Sequence, residues 1–352
     1  MKELLKKNNL DCLWITNKKN IFYLSNFNGT FGEIIITNEK TILISDKRYE
    51  KRIIDENLKN IEVIILQENE TLFDKLLSIF KIYENIGFEA KEVNYFLYEK
   101  FKNQGIKLQP TVDLIENMRV IKNLAEIENI KIAVEKTDKI FLEILKNIKL
   151  GQTEKEIQKN LDYLIDKYTE GKSFDSIVCA NKNTAKPHAT PSEYKICDGD
   201  ILTLDFGCYI NGYCSDMTRT FFVGKSNNEQ LKEIHRIVEE TLNLQIEMIK
   251  PGVSVSEIDL KGRENFKKYN LEKYFVHATG HGIGLDVHEK PRLTKFSDEI
   301  LLENMIVTIE PGIYIPELGG VRIEQDVLVT KNGFEILNKS LTSYDVYNNI
   351  KE

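Results

Sequence analysis

The strongest constraint on this chain is that its second part repeats itself. Ile148-Lys-Leu-Gly-Gln-Thr-Glu-Lys-Glu-Ile157 matches Ile249-Lys-Pro-Gly-Val-Ser-Val-Ser-Glu-Ile258, and His188-Ala-Thr190 matches His277-Ala-Thr279. Thr203-Leu-Asp-Phe-Gly-Cys-Tyr-Ile210 matches Thr308-Ile-Glu-Pro-Gly-Ile-Tyr-Ile315. The offsets are 101, 89 and 105 residues in one order, so the copies are collinear with insertions. In the first pair, each copy places a Gly where one helix ends and a Ser/Thr-x-x-Glu capping box where the next begins. Such a chain is expected to fold as two related halves, each giving helices and a curved sheet to one domain.

Within the first half, Asn211-Gly212 between two apolar, β-prone runs is a strong signal for a two-residue hairpin turn. Centring the hairpin there pairs Ile210 with Tyr213, so that paired residue numbers sum to 423. Asp205 then lies opposite Thr218, and Gly207 opposite Asp216. Residues that pair, or that lie two apart on one strand, share a face, so Asp205 and Asp216 are diagonal neighbours about 7 Å apart. Both carboxylates could reach one ion. Solvated acids on an exposed hairpin are the bland alternative.

The repeat decides between these, because the second half should carry its own acid pair. Glu310 takes the place of Asp205, and Glu324 follows after a Pro316–Gly320 turn. An odd-length loop centred on Glu317 sets the two glutamates opposite each other on one face. Four carboxylates packed together would repel and resist burial unless cations compensated them. His281, in Gly280-His-Gly-Ile-Gly284, adds a nitrogen ligand between two glycines. Four hard oxygen donors and one imidazole suit two divalent ions. Thiolate-poor ligation favours Mn²⁺ or Co²⁺, with Zn²⁺ or Fe²⁺ behind them. His188 and His288 are candidates for polarising a substrate carbonyl or relaying a proton. Arg322 shares the face of Glu324 and would orient carboxylates or substrate. Arg292 is a candidate for a substrate carboxylate, whose geometry its fork matches.

Elsewhere the pattern is simpler. Residues 1–115 read as a smaller mixed α/β domain without a single histidine. Its strand candidates are CLWIT, IFYL, GEIIIT, KTILIS, IEVIIL and NIGFEA, with helices over Asp46–Asn57 and Leu72–Tyr83. Residues 113–121 are the expected boundary. From Lys122 the apolar period becomes 3.6, with Leu124, Ile127, Ile130, Val134, Phe141, Leu145 and Ile148 on one helix face. Further helices are expected over 154–168, 228–249 and 255–268, in a catalytic domain spanning 122–345.

Composition narrows the function. A net charge of −7 without a long basic block argues against nucleic acid. No apolar run approaches a membrane span, and the opening MKELLKKNNLDCLW lacks the features of a signal peptide. Five cysteines without a CxxC pair read as reduced thiols, and the expected location is cytoplasmic.

With these residues in view, the chain resembles the proline-specific metallopeptidases of the pita-bread fold, Xaa-Pro dipeptidase (prolidase) and aminopeptidase P. Pro187-His-Ala-Thr-Pro191, Leu204-Asp-Phe-Gly207, Ser215-Asp-Met-Thr-Arg-Thr220, Gly280-His-Gly-Ile-Gly284, Val287-His-Glu289, Glu310-Pro-Gly312 and Val321-Arg-Ile-Glu324 look like family motifs in family order. Thr16-Asn17, Asn20-Ile21 and Arg48-Tyr49 look like the creatinase-type N-terminal domain. The resemblance implies an α+β pita-bread catalytic domain with a pseudo-twofold repeat, behind a smaller α/β domain. It implies metal ligands at Asp205, Asp216, His281, Glu310 and Glu324. It also implies substrate or proton-transfer roles for His188, His277 and His288, and a homodimer. The chain departs from the pattern at Glu324-Gln325-Asp326, where the family often has two acids after Glu; Gln325 is expected to point away from the metals.

The activity so implied is hydrolysis of the bond before proline in Xaa-Pro dipeptides or short peptides. A metal-bridging hydroxide attacks, and Glu310 serves as general base. The metals and His288 would stabilise the oxyanion. Aminopeptidase P action on longer Xaa-Pro-Xaa peptides is the alternative. A methionine aminopeptidase-like enzyme would lack the N-terminal domain, and a creatinase-like enzyme the metal set. Non-catalytic pita-bread binders generally lose ligands that this chain retains.

Overall fold

The computed structural model describes residues 1–351. The chain divides into two compact units between Arg119 and Val120. No helix among the described residues is long and apolar enough to cross a membrane, and all five cysteines are free.

The first unit is built on a six-stranded sheet with strands β1 (Cys12–Ile15), β2 (Glu33–Thr37), β3 (Thr41–Asp46), β4 (Glu62–Leu66), β5 (Ile86–Glu89) and β6 (Leu108–Thr111). Their order is β4-β3-β2-β1-β5-β6, with β2 antiparallel to both its neighbours and the other pairs parallel. Trp14, Ile35, Phe80 and Phe101 pack on one side of this sheet, and Leu13, Ile21, Ile34 and Ile36 on the other. Both faces are covered, which is why its central strands read as continuous apolar runs rather than alternating ones.

One expected strand is a helix. IFYL lies in Lys18–Ser25, where the Asn17 side chain caps the backbone amides of Lys19 and Asn20 and buries Asn20 and Ile21 one turn on. The cap overrides the β preference of Ile21, Phe22 and Tyr23. The expected helix after Asp46 is also shorter, Glu50–Glu56, because Asp46 is still in β3.

The second unit is two halves of matching topology. In the first, helices Leu124–Asn147 and Glu154–Tyr168 pack on β7 (Ile177–Ala180), β8 (Asp200–Phe206) and the hairpin that follows, namely β9 (Tyr209–Ile210), β10 (Tyr213–Cys214) and β11 (Met217–Val223). In the second, helices Glu229–Ile246 and Val255–Lys268 pack on β12 (Gly280–Gly282), β13 (Glu289–Leu293), β14 (Ile306–Ile309), β15 (Gly312–Ile315), β16 (Gly319–Arg322), β17 (Gln325–Thr330) and β18 (Gly333–Ile336). The sheet orders are β11-β8-β7 and β13-β12-β14-β17-β18, so β7, β8 and β11 correspond to β12, β14 and β17. The residues that cap the second helix of each half, Thr153 and Ser254, each form an isolated antiparallel bridge, to Lys195 and Ile300.

Three details of the second unit differ from expectation. His188 follows β7 whereas His277 precedes β12, so the His-Ala-Thr match is not a structural equivalence. Ser254 makes no side-chain cap bond, and its hydroxyl pairs with Ser256 instead, whereas Thr153 and Glu156 form the complete box. Leu124 is 81% exposed, because it opens its helix one turn before the buried face begins at Ile127.

A candidate carboxylate–histidine metal centre

Both hairpins keep the register that their turns impose. Every pair from Ile210–Tyr213 through Met217–Phe206 to Thr218–Asp205 sums to 423. Every pair from Ile315–Gly319 through Gly312–Arg322 to Ile309–Gln325 sums to 634, which places Glu310 level with Glu324. The second turn is shorter than expected. Only Pro316–Leu318 lie outside the strands, and Glu317 takes the left-handed conformation (φ 65°) that closes an odd-length loop. The hairpins are joined at the acids, where the Glu324 amide donates to the Thr218 carbonyl at 3.2 Å.

His281 reaches this point because β12 runs in a narrow slot. A Cβ on Gly280 would lie 1.9 Å from the Thr308 carbonyl oxygen, and one on Gly282 would lie 2.1 Å from that of Lys290. The ring Nδ1 meets the Gly282 carbonyl at 3.0 Å, and burial holds the imidazole's pKa down to about 4. Nδ1 therefore carries the proton, and the Nε2 lone pair faces the carboxylates. It lies 3.5 Å from Glu310 Oε1 and 3.7 Å from Asp216 Oδ2. One ligand atom each from Asp216, His281 and Glu324 lie within 4.8 Å of one another.

Charge at the centre is unbalanced. Asp205, Asp216 and Glu324 are buried, and the Glu310 side chain is 19% exposed. Burial, and then the neighbouring carboxylates, push Asp216 and Glu324 well above the usual carboxylate range. Glu310 rises to about 8, first by burial, with the Asp205 charge adding to it against Arg322. Arg322 pairs with Asp205 at 2.5 Å. Four carboxylates around one neutral imidazole, with a single guanidinium on one of them, are a donor set that fits divalent cations.

The remaining candidates surround this centre. His188 and His288 are exposed and line a cleft of about 630 Å³, and the His288 ring meets that of His281 edge-on at 4.3 Å. Arg292, on β13 opposite His281, is exposed on the cleft lining and its guanidinium has no bonding partner among the described residues. His277 also lines the cleft, but both its nitrogens are engaged, Nδ1 by the Ala278 carbonyl at 2.7 Å and Nε2 by the Tyr314 hydroxyl at 2.9 Å. Arg322 is also held from several sides. Nε donates to the Thr218 hydroxyl at 3.1 Å, and Nη1 to the Tyr314 hydroxyl at 2.6 Å and the Pro187 carbonyl at 3.2 Å. Its Nη2 is bound to Asp205, so four of its five N–H groups are met within the chain. The Gln325 amide oxygen accepts from Arg219 instead of joining the cage.

Sequence reasoning passed over Tyr314, which links His277 to Arg322, although it lies in the quoted repeat at the place of Tyr209. It also missed the apolar wall of Phe174 and Ile177, for which no motif gives a signal.

Residues 128–331 match the model of metallopeptidase family M24, and residues 1–121 that of the creatinase/prolidase N-terminal domain. The chain belongs to metallopeptidase family M24. It is a peptidase of the Xaa-Pro group, a pita-bread domain behind a creatinase-type domain. This M24 peptidase is 36% identical to the Xaa-Pro dipeptidase of Pyrococcus furiosus, over 97% of its own length and 99% of that protein's. Among solved structures, an Xaa-Pro dipeptidase from Bacillus anthracis matches at TM-score 0.93 and 36% identity, covering 97% of this chain and 96% of that one. The X-Pro aminopeptidase of Thermotoga maritima matches at 0.90 and 33%, covering 97% and 99%.

Proposed function

We propose that this M24 peptidase cleaves Xaa-Pro dipeptides at the bond before proline, with two divalent cations, Mn²⁺ foremost, held by Asp205, Asp216, His281, Glu310 and Glu324. The observation that carries the reading is the crowding of buried carboxylates about the free lone pair of His281. Bound there, divalent cations supply Lewis acidity and a water activated at neutral pH.

The chain's own groups do the rest. All four cage carboxylates line the cleft, and Glu310, more exposed than Asp205 or Asp216, takes a proton from water and passes it to the leaving imide nitrogen. His188 and His288 face the scissile carbonyl and stabilise its developing charge. Arg292, the unpaired guanidinium on the cleft lining, receives the substrate's C-terminal carboxylate and thereby favours dipeptides. His277, Tyr314 and Arg322 act through one another to hold Asp205. Proline lacks an amide N–H, so the site must recognise ring shape rather than a backbone donor.

The second reading, cleavage of longer Xaa-Pro-Xaa peptides, is favoured by the cleft's 630 Å³, which exceeds what a dipeptide fills. Assay of the Mn²⁺-loaded chain on an Xaa-Pro dipeptide and an Xaa-Pro-Xaa tripeptide separates the two. Preference for the dipeptide that disappears in R292A supports the first reading; equal turnover of both by the unaltered chain overturns it.

A further inference from the structure

His188 stands in the cleft without a hydrogen bond or ionic partner for its ring among the described residues. Its place is therefore set by its loop. That loop, residues 181–192, leaves β7 through a tight helical turn over Asn181–Ala185 and returns toward the start of helix Glu154–Tyr168. Contacts with the second half steady its outer part, among them Lys182 with Glu317 at 2.8 Å. The Gly320 amide donates to the Thr184 hydroxyl at 2.7 Å, and Arg322 Nη1 donates to the Pro187 carbonyl, one residue before His188.

At the loop's root, the Asn181 side chain is bound to Asp200 and the Ser192 carbonyl to the Lys155 amide, and one carboxylate reaches both ends. Glu154 is fully buried. Its Oε1 accepts the Ala180 amide at 2.6 Å, where the loop begins. Its Oε2 accepts the Ser192 amide at 2.6 Å, where the loop ends, and the Asn183 side-chain amide at 2.9 Å. Asn183 also donates to the Thr190 carbonyl at 3.2 Å, which ties the returning strand of the loop to the same point. Burying a carboxylate is costly unless its lone pairs are met, and the donors that meet these are two loop residues, Asn183 and Ser192, and Ala180, the strand residue from which the loop departs.

Helix capping does not account for Glu154. The helix already has a complete capping box, with Thr153 accepting the Glu156 amide at 3.1 Å and Glu156 accepting the Thr153 amide at 2.8 Å. The second half uses a similar device. Asp259, fully buried on helix Val255–Lys268, accepts the Thr279 amide and hydroxyl and the Lys295 amide, and so fixes the approach to His281. Asp259 is also paired with Arg263 at 2.7 Å, whereas the three N–H donors that meet Glu154 are uncharged.

We infer that Glu154 is a positioning residue for the reaction. It closes both ends of loop 181–192 onto the helix and so holds His188 at the substrate carbonyl. The inference rests on the reading that His188 meets the substrate. Displacement of about 1 Å in a group that contacts the reacting atoms can cost on the order of a hundredfold in rate.

The test compares E154Q, N183A, H188A and E154Q/H188A in the full Mn²⁺-loaded chain on an Xaa-Pro dipeptide, with hydrogen exchange over residues 181–192 and bound metal measured alongside. In E154Q an NH₂ group faces N–H donors. The expected result is a fall in kcat of about tenfold or more with a smaller change in KM, faster exchange in the loop, and unchanged metal content. E154Q should add no further loss to H188A. N183A removes three bonds on the partly exposed side, to Glu154, to the Thr190 carbonyl and from Lys186, and should move kcat and exchange in the same direction by less, so the outcome does not depend on E154Q folding. Losses that multiply in the double variant, or loop exchange unchanged in both E154Q and N183A, overturn the positioning role alone. Full turnover by H188A overturns the reading of His188, and the positioning role with it.

Discussion

Thr218 and Glu324 hold each other twice. The Glu324 amide donates to the Thr218 carbonyl at 3.2 Å, and the Thr218 hydroxyl donates to Glu324 Oε2 at 2.9 Å. One residue comes from the first hairpin and the other from the second, so the contact stitches the two halves together where both supply acids. Thr218 Oγ1 also accepts from Arg322 Nε, which places a single hydroxyl between a cage carboxylate and the guanidinium that orients Asp205.

Replacing that hydroxyl by a methyl group at constant shape isolates its role. T218V leaves Arg322 Nε without an acceptor and Glu324 with one donor fewer, in a buried place. The expected cost is about 1–3 kcal/mol of stability and roughly 10–100-fold in metal affinity. Titration of the apo protein with Mn²⁺ against a competing chelator measures the second quantity. Wild-type affinity in T218V would mean that the hydroxyl only bridges the sheets.

Metal should stabilise the fold because it neutralises the cage. Without cations, Asp216 and Glu324 are held buried among other carboxylates, Asp216 beside Glu324 and Asp205 and Glu324 beside Glu310 and Asp205. Chelation is expected to lower the melting temperature of the second unit, with stabilisation of about 2.7 kcal/mol restored at a free metal concentration one hundred times the dissociation constant. D216N should bind less metal, lose activity, and melt at nearly the same temperature with and without chelator. An unaltered metal response in D216N would remove Asp216 from the ligand set.

The slot that carries His281 tolerates no side chain beside it. In G282A the new Cβ would meet the backbone of Lys290, which cannot swing aside as a flexible side chain would. The expected loss is about 3 kcal/mol, at the upper end for overpacking, together with a displaced His281 and weaker metal binding. Denaturant unfolding of the metal-free protein measures the first part. A loss below about 0.5 kcal/mol would show that β12 and β13 can part freely.

Much of the centre was legible because hairpin register is arithmetic. Once Asn211-Gly212 and an odd loop about Glu317 fix the turns, face and partner follow for every residue, and Asp205, Asp216, Glu310 and Glu324 fall together. What escaped depends on three-dimensional packing rather than period. Tyr314 matters because its hydroxyl lands between His277 and Arg322, two residues whose meeting no local pattern encodes. Ile21–Leu24 has a strand's composition but lies in the helix Lys18–Ser25, because its cap, Asn17, outweighs three β-prone residues. His188 and His277 share three letters but not a place, since a three-residue match carries too little information to fix an equivalence.

The first unit contains a titration that its only tryptophan can report. Trp14 Nε1 donates to Glu33 Oε2 at 2.5 Å, and burial raises the Glu33 carboxyl to about 7 against the stabilising pull of Trp14 and Lys18. A carboxyl whose pKa is raised on folding binds its proton more tightly in the native state. Its favourable contribution is complete below the unfolded value near 4.5 and is lost as pH rises through about 7. The difference corresponds to about 3 kcal/mol as an upper figure. Trp14 emission should therefore change with a midpoint near pH 7, and the unit should become easier to unfold between pH 5 and 8. E33Q should abolish the midpoint and flatten the stability profile. Emission that stays constant across this range in the wild type, or that titrates equally in E33Q, would assign the charge change to another group.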